Sequence, residues 1–259
     1  MDASSIAIIA VIFFATFIRS AFGFGEALVA VPLLALLLPV EVAVPLAALF
    51  SITVAVIVII QDWRKIHFDS AWRLVVATLF GIPLGLLILT TVPEAVVKSV
   101  LAIVIISFSL YCLVSRGNFE LKTDRTSWAF GFAAGVLGGA YAMNGPPLVV
   151  YGAMRRWSPE HFRATLQGYF FPASVVQMAG YWLAGLWVPA VSHNFVICLT
   201  PAIGAIFLGR FVNRRMSGRR FVICIHVGLI VLGSILLAQS LWPIAQKAWN
   251  QPASPSGTT

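Results

Sequence analysis

Charge is scarce in this chain. Asp, Glu, Lys and Arg make up 10% of its 259 residues, whereas hydrophobic residues make up 60%. A soluble domain carries about 25% charged residues, and the mean hydropathy here is +0.95. Apolar runs recur along the whole length with short polar gaps, leaving no room for a soluble domain. The sequence predicts an integral membrane protein whose first partner is the lipid bilayer. Cysteine is rare too, and Cys112, Cys198 and Cys224 all lie inside apolar segments. They have neither disulfide-framework nor metal-ligand spacing and read as small buried hydrophobes. No H-E-x-x-H, no G-x-S-x-G and no close pair of membrane carboxylates occurs. Nucleophilic or zinc chemistry therefore has no support, and no enzyme activity, metal or cofactor is expected. The clustered ligands of a transition-metal importer are missing as well. The N-terminus lacks a basic stretch and a small-residue cleavage site, so no removable signal peptide is read.

The charge that is present is lopsided, with 17 cations against 9 acidic residues. A net charge of +8 could suggest nucleic acid, but basic loops are what the positive-inside rule gives a membrane protein, and no nucleic acid is expected. A full span needs about 20 apolar residues. Six segments qualify: 41–60, 70–90, 95–114, 160–184, 189–209 and 220–242. Two longer segments, 6–38 and 126–154, are each broken by small residues: Arg19-Ser-Ala-Phe-Gly-Phe-Gly25 and Gly138-Gly-Ala-Tyr-Ala-Met-Asn-Gly-Pro-Pro147. Each could be one kinked crossing or a re-entrant hairpin of two half-helices. As hairpins, they put 14 of the 17 cations on one side and Lys98 and Lys247 on the other, with Arg19 at a break. As plain crossings, the split is 9 against 7. The cleaner bias favours hairpins, a cytoplasmic-membrane location and both termini outside.

Each half then holds one hairpin and three spans. That odd number predicts two inverted repeats in an all-α polytopic fold, residues 1–118 and 119–245, with a disordered tail at 246–259. Phe22-Gly-Phe-Gly-Glu26 resembles Tyr141-Ala-Met-Asn-Gly145 at an offset of 119, Pro39 and Pro159 match at 120, and Gly85 and Gly209 at 124.

Broken helices in corresponding halves mark a transporter's binding site, because exposed backbone survives only beside protein or a wet cavity. Half-helix N-termini carry free N–H groups and partial positive charge, which suits an anion. Gly23 and Gly25 allow close approach at the first tip, with Phe22 beside them; Asn144-Gly145 turns the second, and Pro146 or Pro147 suits a first helical position. Arg19 is the one cation expected at membrane depth. It either forks to a bound oxyanion or merely pairs with Glu26 or snorkels to the interface. Glu26, the sole carboxylate at that depth, is a proton-coupling candidate or an ionised cap. Tyr141, Gln167 and Gln177 complete the expected substrate-binding set, and Ser51, Thr53, Tyr169 and Ser174 could also face the cavity. Gly81 and Gly85 read as a helix-packing face, and His226 as a packed neutral histidine. Trp63, Trp72, Trp157, Trp182, Trp187 and Trp242 fall near span ends, as an interfacial belt would.

At the tip residues Phe22-Gly-Phe-Gly25 with Pro32 downstream, at Gly138 to Tyr151, and at Arg163-Ala-Thr-Leu166, the chain resembles the sulfite exporter TauE/SafE family. The resemblance covers about 240 residues. It implies a secondary transporter of sulfite or small organosulfur or organic anions, often outward. Glu26 stands where a further glycine is common in that family, and Asn-Gly-Pro-Pro replaces a glycine run. The alternatives are a proton-coupled importer or channel for another small anion, or a membrane scaffold.

Overall fold

The computed structural model describes residues 3–62, 68–114, 121, 123–157, 159–213 and 219–250. Among them are ten α-helices and no strand. They are α1 Ala3–Phe22, α2 Glu26–Leu34, α3 Val40–Asp62, α4 Phe68–Thr91, α5 Glu94–Val114, α6 Ser127–Tyr141, α7 Gly145–Met154, α8 Pro159–Leu183, α9 Pro189–Asn213 and α10 Arg219–Asn250. All six uninterrupted segments became single helices, α3–α5 and α8–α10, because none contains a breaker that its own turn cannot absorb. α10 runs on to Asn250, past the expected boundary at 245, and the rest of the tail lies outside the described residues.

Among the described residues, five helices are long and apolar enough to cross a membrane: α1, α3, α4, α5 and α9. α8 is not one of them. Its polar positions are turned inward, with Ser174 and Gln177 buried, so it is covered by other helices more than by lipid. α1 also departs from expectation. With 20 residues it is about 30 Å long, a full bilayer thickness, where a half-helix was expected. No glycine or proline interrupts it before Gly23, so helix propagates to that point.

Both breaks occur at positive φ. Gly23 (φ 85) and Gly25 (φ 97) end α1 and open α2. At the second break Ala142 takes φ 54, a left-handed cap usually given to glycine. Its N–H bonds Gly138 O (2.8 Å) and that of Met143 bonds Leu137 O (3.2 Å), the paired pattern that closes a helix C-terminus. Gly23 N–H bonds Arg19 O in the same way (2.6 Å), and Gly23 lies 119 residues before Ala142. Beyond each break the chain turns back. Glu26 reaches Thr16, ten residues earlier. At the far end of α7, Leu121 N–H bonds Met154 O (2.8 Å) and Arg155 Nη1 bonds Leu121 O (2.9 Å), so α7 returns to the end where α6 began.

The helix pairings repeat between halves. All of the main pairings join one half to the other: α1 packs on α9 as α6 packs on α4, α3 packs on α9 as α8 packs on α4, and the equivalent helices α5 and α10, and α3 and α8, pair with each other. The match extends to atoms. A Cβ on Gly85 would run into Val136 O, Gly139 Cα and Ala140 N; one on Gly209 would run into Phe17 O, Ser20 Cβ and Ala21 N. The second set is the first shifted by 119 residues. The α4–α6 seam is the tighter one, with Gly81, Gly85, Gly131, Gly135 and Gly139 interlocked so that backbones touch, and with Thr78 Oγ1 bonding Gly131 O across it (2.8 Å). Gly81 and Gly85 are thus the packing face that the sequence suggested. His226 is likewise packed, buried against Phe108 and 3.4 Å from Ser109 Oγ.

Candidate functional site

Among the described residues, one charged pair sits inside the protein. Arg19 leaves the last turn of α1 and is 4% exposed; Glu26 opens α2 and is 2% exposed. Burying two charges is tolerable only when they are paired and hydrogen-bonded, and this pair is. Arg19 Nη1 lies 3.1 Å from Glu26 Oε2 and donates to Ser51 Oγ on α3 at 2.6 Å. Thr16 Oγ1 donates to Glu26 Oε1 at 3.1 Å. The guanidinium carbon stands 4.8 Å from the centroid of the Phe170 ring of α8, a cation–π distance. Yet the fork is only half used: Arg19 Nη2 is buried and has no hydrogen-bond partner among the described residues.

The second tip meets the first. A cavity runs between them, lined by Arg19, Phe24, Gly25, Glu26 and Leu28 from the first side and by Met143, Asn144, Gly145 and Pro146 from the second. Ser51 of α3 and Phe170, Ser174 and Gln177 of α8 close its walls. Its volume of about 20 Å³ suffices for roughly one water. That space is too small for a polyatomic anion as the tips stand. Neither α2 nor α7 has a side-chain cap. Among the first-turn N–H groups, those of Glu26, Ala27 and Leu28 at the first tip have no earlier helical carbonyl to bond. The second tip has fewer, because Pro146 and Pro147 carry no N–H. Asn144 supplements it: Oδ1 accepts from Gln177 Nε2 at 2.9 Å, and the buried Nδ2 is left without a hydrogen bond of standard geometry.

Of the residues expected to bind substrate, Arg19, Gly25, Asn144, Gly145 and Gln177 line this cavity together with Glu26. Gly23 does not line it; its work is to turn the chain. Tyr141 is also elsewhere, because its hydroxyl is occupied by Val97 O on α5 (3.0 Å). Of the additional polar residues, Thr53 bonds Leu49 O of its own helix and Tyr169 bonds Thr78. The side chains of Phe22, Gln167 and Arg163 lie outside the described residues, as do those of Trp63, Trp242 and Cys224. Thr16, Phe24 and Phe170 were not anticipated. Thr16 had a signal, since it sits one turn before Arg19 on the same helical face. Phe170 had none, because only tertiary folding brings α8 over Arg19.

The arrangement is a donor-rich, water-restricted pocket with one cation, one carboxylate and two chain reversals. Nothing among curated proteins or among solved structures matches the chain significantly. A family profile described as sulfite exporter TauE/SafE matches residues 8–236, covering both tips and most of the helical core. The chain belongs to the sulfite exporter TauE/SafE family.

Proposed function

We propose that this protein is a secondary transporter that moves sulfite, or a small organosulfur or organic anion, outward across the cytoplasmic membrane. The substrate binds between the two tips at Arg19, the first-tip amides and Asn144. The observation that carries this is the unspent half of the buried Arg19 guanidinium, which lines the cavity where the tips meet. A guanidinium arm with no acceptor in a low-dielectric site is expensive unless an acceptor arrives, and an oxyanion supplies one in fork geometry. The repeated pairings support two five-helix halves of opposite insertion, each a hairpin plus three crossings, interlocked through α1–α9 and α4–α6 around one shared site. Outward flow needs no coupling ion, since a potential of 100 mV, inside negative, drives an anion out with about 2.3 kcal/mol per charge.

The contact between Glu26 and Arg19 supports a second reading, proton-coupled import. A carboxylate that shares Arg19 with the substrate must release it or take up a proton when the anion binds. Liposomes containing the purified protein decide between them. Sulfite, sulfonates and thiosulfate are tested with and without an imposed voltage. Outward-directed flux driven by inside-negative voltage supports export. Flux that requires a proton gradient supports coupling. Anion flux that Arg19→Ala leaves unchanged removes Arg19, and with it this site.

A further inference from the structure

We infer that the site takes anions carrying a single negative charge and discriminates against dianions, and that Glu26 is the residue that sets this limit. The inference rests on the reading of the cavity as an anion site and narrows its substrate class.

The argument is a charge count. Arg19 and Glu26 are the only charged groups lining the cavity among the described residues, and they touch, Nη1 to Oε2 at 3.1 Å. Both Glu26 oxygens accept hydrogen bonds, one from Arg19 and the other from Thr16 Oγ1. That is the arrangement of an ionised carboxylate, which has no proton to donate. The empty pocket is therefore neutral. Arg19 Nη2, buried without a partner, still offers a donor to an incoming anion, but the charge behind it is already matched by Glu26. The helix ends do not change the sum. Each tip joins the C-terminus of one helix, α1 or α6, to the N-terminus of the next, α2 or α7. Their partial charges, about −0.5 and +0.5, fall within a few residues of each other and offset as net charge, while the first α2 amides still donate locally.

The walls do not screen a second charge. Phe24, Met143, Pro146 and Phe170 supply much of them, and both ionic residues are buried. The cost of moving a site from water-like to low-dielectric surroundings rises with the square of its net charge. A bound monoanion leaves one charge uncompensated, and a dianion leaves two. If Glu26 takes up a proton as the anion binds, these become none and one, and the singly charged ligand keeps its advantage. The gap is widest with Glu26 ionised, because the second charge is then added to a site already carrying one. Glu26 thus acts by repulsion, excluding the wrong ligand more than holding the right one.

The test uses two anions of nearly the same shape, methanesulfonate and methylphosphonate. Under mildly alkaline conditions the first carries one charge and the second two; under mildly acidic conditions methylphosphonate gains a proton and carries one. Each competes with radiolabelled sulfite in liposome counterflow at both pH values. In alkali, half-inhibition should need about tenfold or more methylphosphonate than methanesulfonate, and in acid the two should agree within a few-fold. Taking the ratio at each pH removes any change in the protein or the tracer. In Glu26→Gln and Glu26→Ala the alkaline ratio should shrink several-fold, with calorimetric binding to the solubilised variants as a readout that does not require transport. Equal inhibition by the two anions in alkali, or a ratio that acid leaves unchanged, overturns the single-charge limit. A wild-type ratio in both Glu26 variants overturns the role of Glu26. In each case the transporter stands. Absence of sulfite counterflow by the wild type in acid, where hydrogensulfite dominates, overturns both this inference and the function it rests on.

Discussion

At the scale of single residues, the site is an economy of donors around one cation. Arg19 serves Glu26 and Ser51 through one nitrogen and keeps the other free. A lysine ammonium at this position has no planar fork and cannot hold that geometry while also stacking on Phe170. Arg19→Lys is expected to weaken anion binding by about tenfold to a hundredfold, the value of one or two charge-assisted hydrogen bonds; the half-saturating concentration in liposome uptake checks it. Glu26 is tested by Glu26→Gln, which preserves shape and can still accept from Thr16. If Glu26 carries a proton, flux in this variant is expected to lose its pH dependence between mildly acidic and neutral conditions. A pH profile that stays parallel to the wild type removes Glu26 from coupling. This pair also shows where sequence reasoning reached its end. Its residue types and depth were legible, since an Arg and a Glu flanking a glycine break in apolar sequence are conspicuous. Their engagement with Ser51 and Phe170 was not, because those contacts join positions 32 and 151 residues from Arg19 and depend on how α3 and α8 pack.

At the scale of elements, the two breaks are turned by different residues, Gly23 and Gly25 at the first and Ala142 at the second. Helix existence was legible wherever an apolar run was unbroken, and the offset of 119 between tips was legible from the likeness of Phe22-Gly-Phe-Gly-Glu26 to Tyr141-Ala-Met-Asn-Gly145. The length of α1 was not, because helix propagation stops at the first true breaker and the pattern had suggested an earlier end. The Tyr141 contact was not legible either: its hydroxyl bonds a carbonyl on α5, a partner 44 residues away that only helix packing brings to it. The α4–α6 seam yields a direct prediction. Gly135 touches Gly81 so closely that its Cβ would lie 2.9 Å from the Gly81 Cα, and no flexible side chain is there to yield. Gly135→Ala is expected to destabilise the fold by about 1–3 kcal/mol through overpacking, read as a lowered melting temperature in detergent. Gly204→Ala, which would meet nothing within 4 Å, is the matched control and should be stable. An unchanged melting temperature for Gly135→Ala would mean that the two helices do not approach as described.

At the scale of the whole molecule, the decisive property is on which face each hairpin opens. Backbone and side-chain bonds tie the end of α7 to Leu121, ahead of α6, so the α6–α7 unit leaves by the end it entered. Arg125, Arg155 and Arg156 gather at that end, and cation-rich loops stay in the cytoplasm. The first unit, α1–α2, reverses at Gly23–Gly25, and in the proposed topology three crossings separate it from the second, which would open it on the opposite, outer face. The prediction is a labelling pattern, with the native cysteines replaced and single cysteines introduced at exposed positions. Thr123→Cys and Ala153→Cys flank the second hairpin and should both react with a membrane-impermeant thiol reagent only from the cytoplasmic side. Ser4→Cys and Leu37→Cys flank the first and should both react only from outside. Eight plain crossings would split each pair between the two faces, because every segment would then end opposite to where it began. Such a split would also undo the proposed binding site, since tips of kinked crossings need not meet, and Arg19 and Asn144 would lose the common cavity on which the proposed anion binding depends.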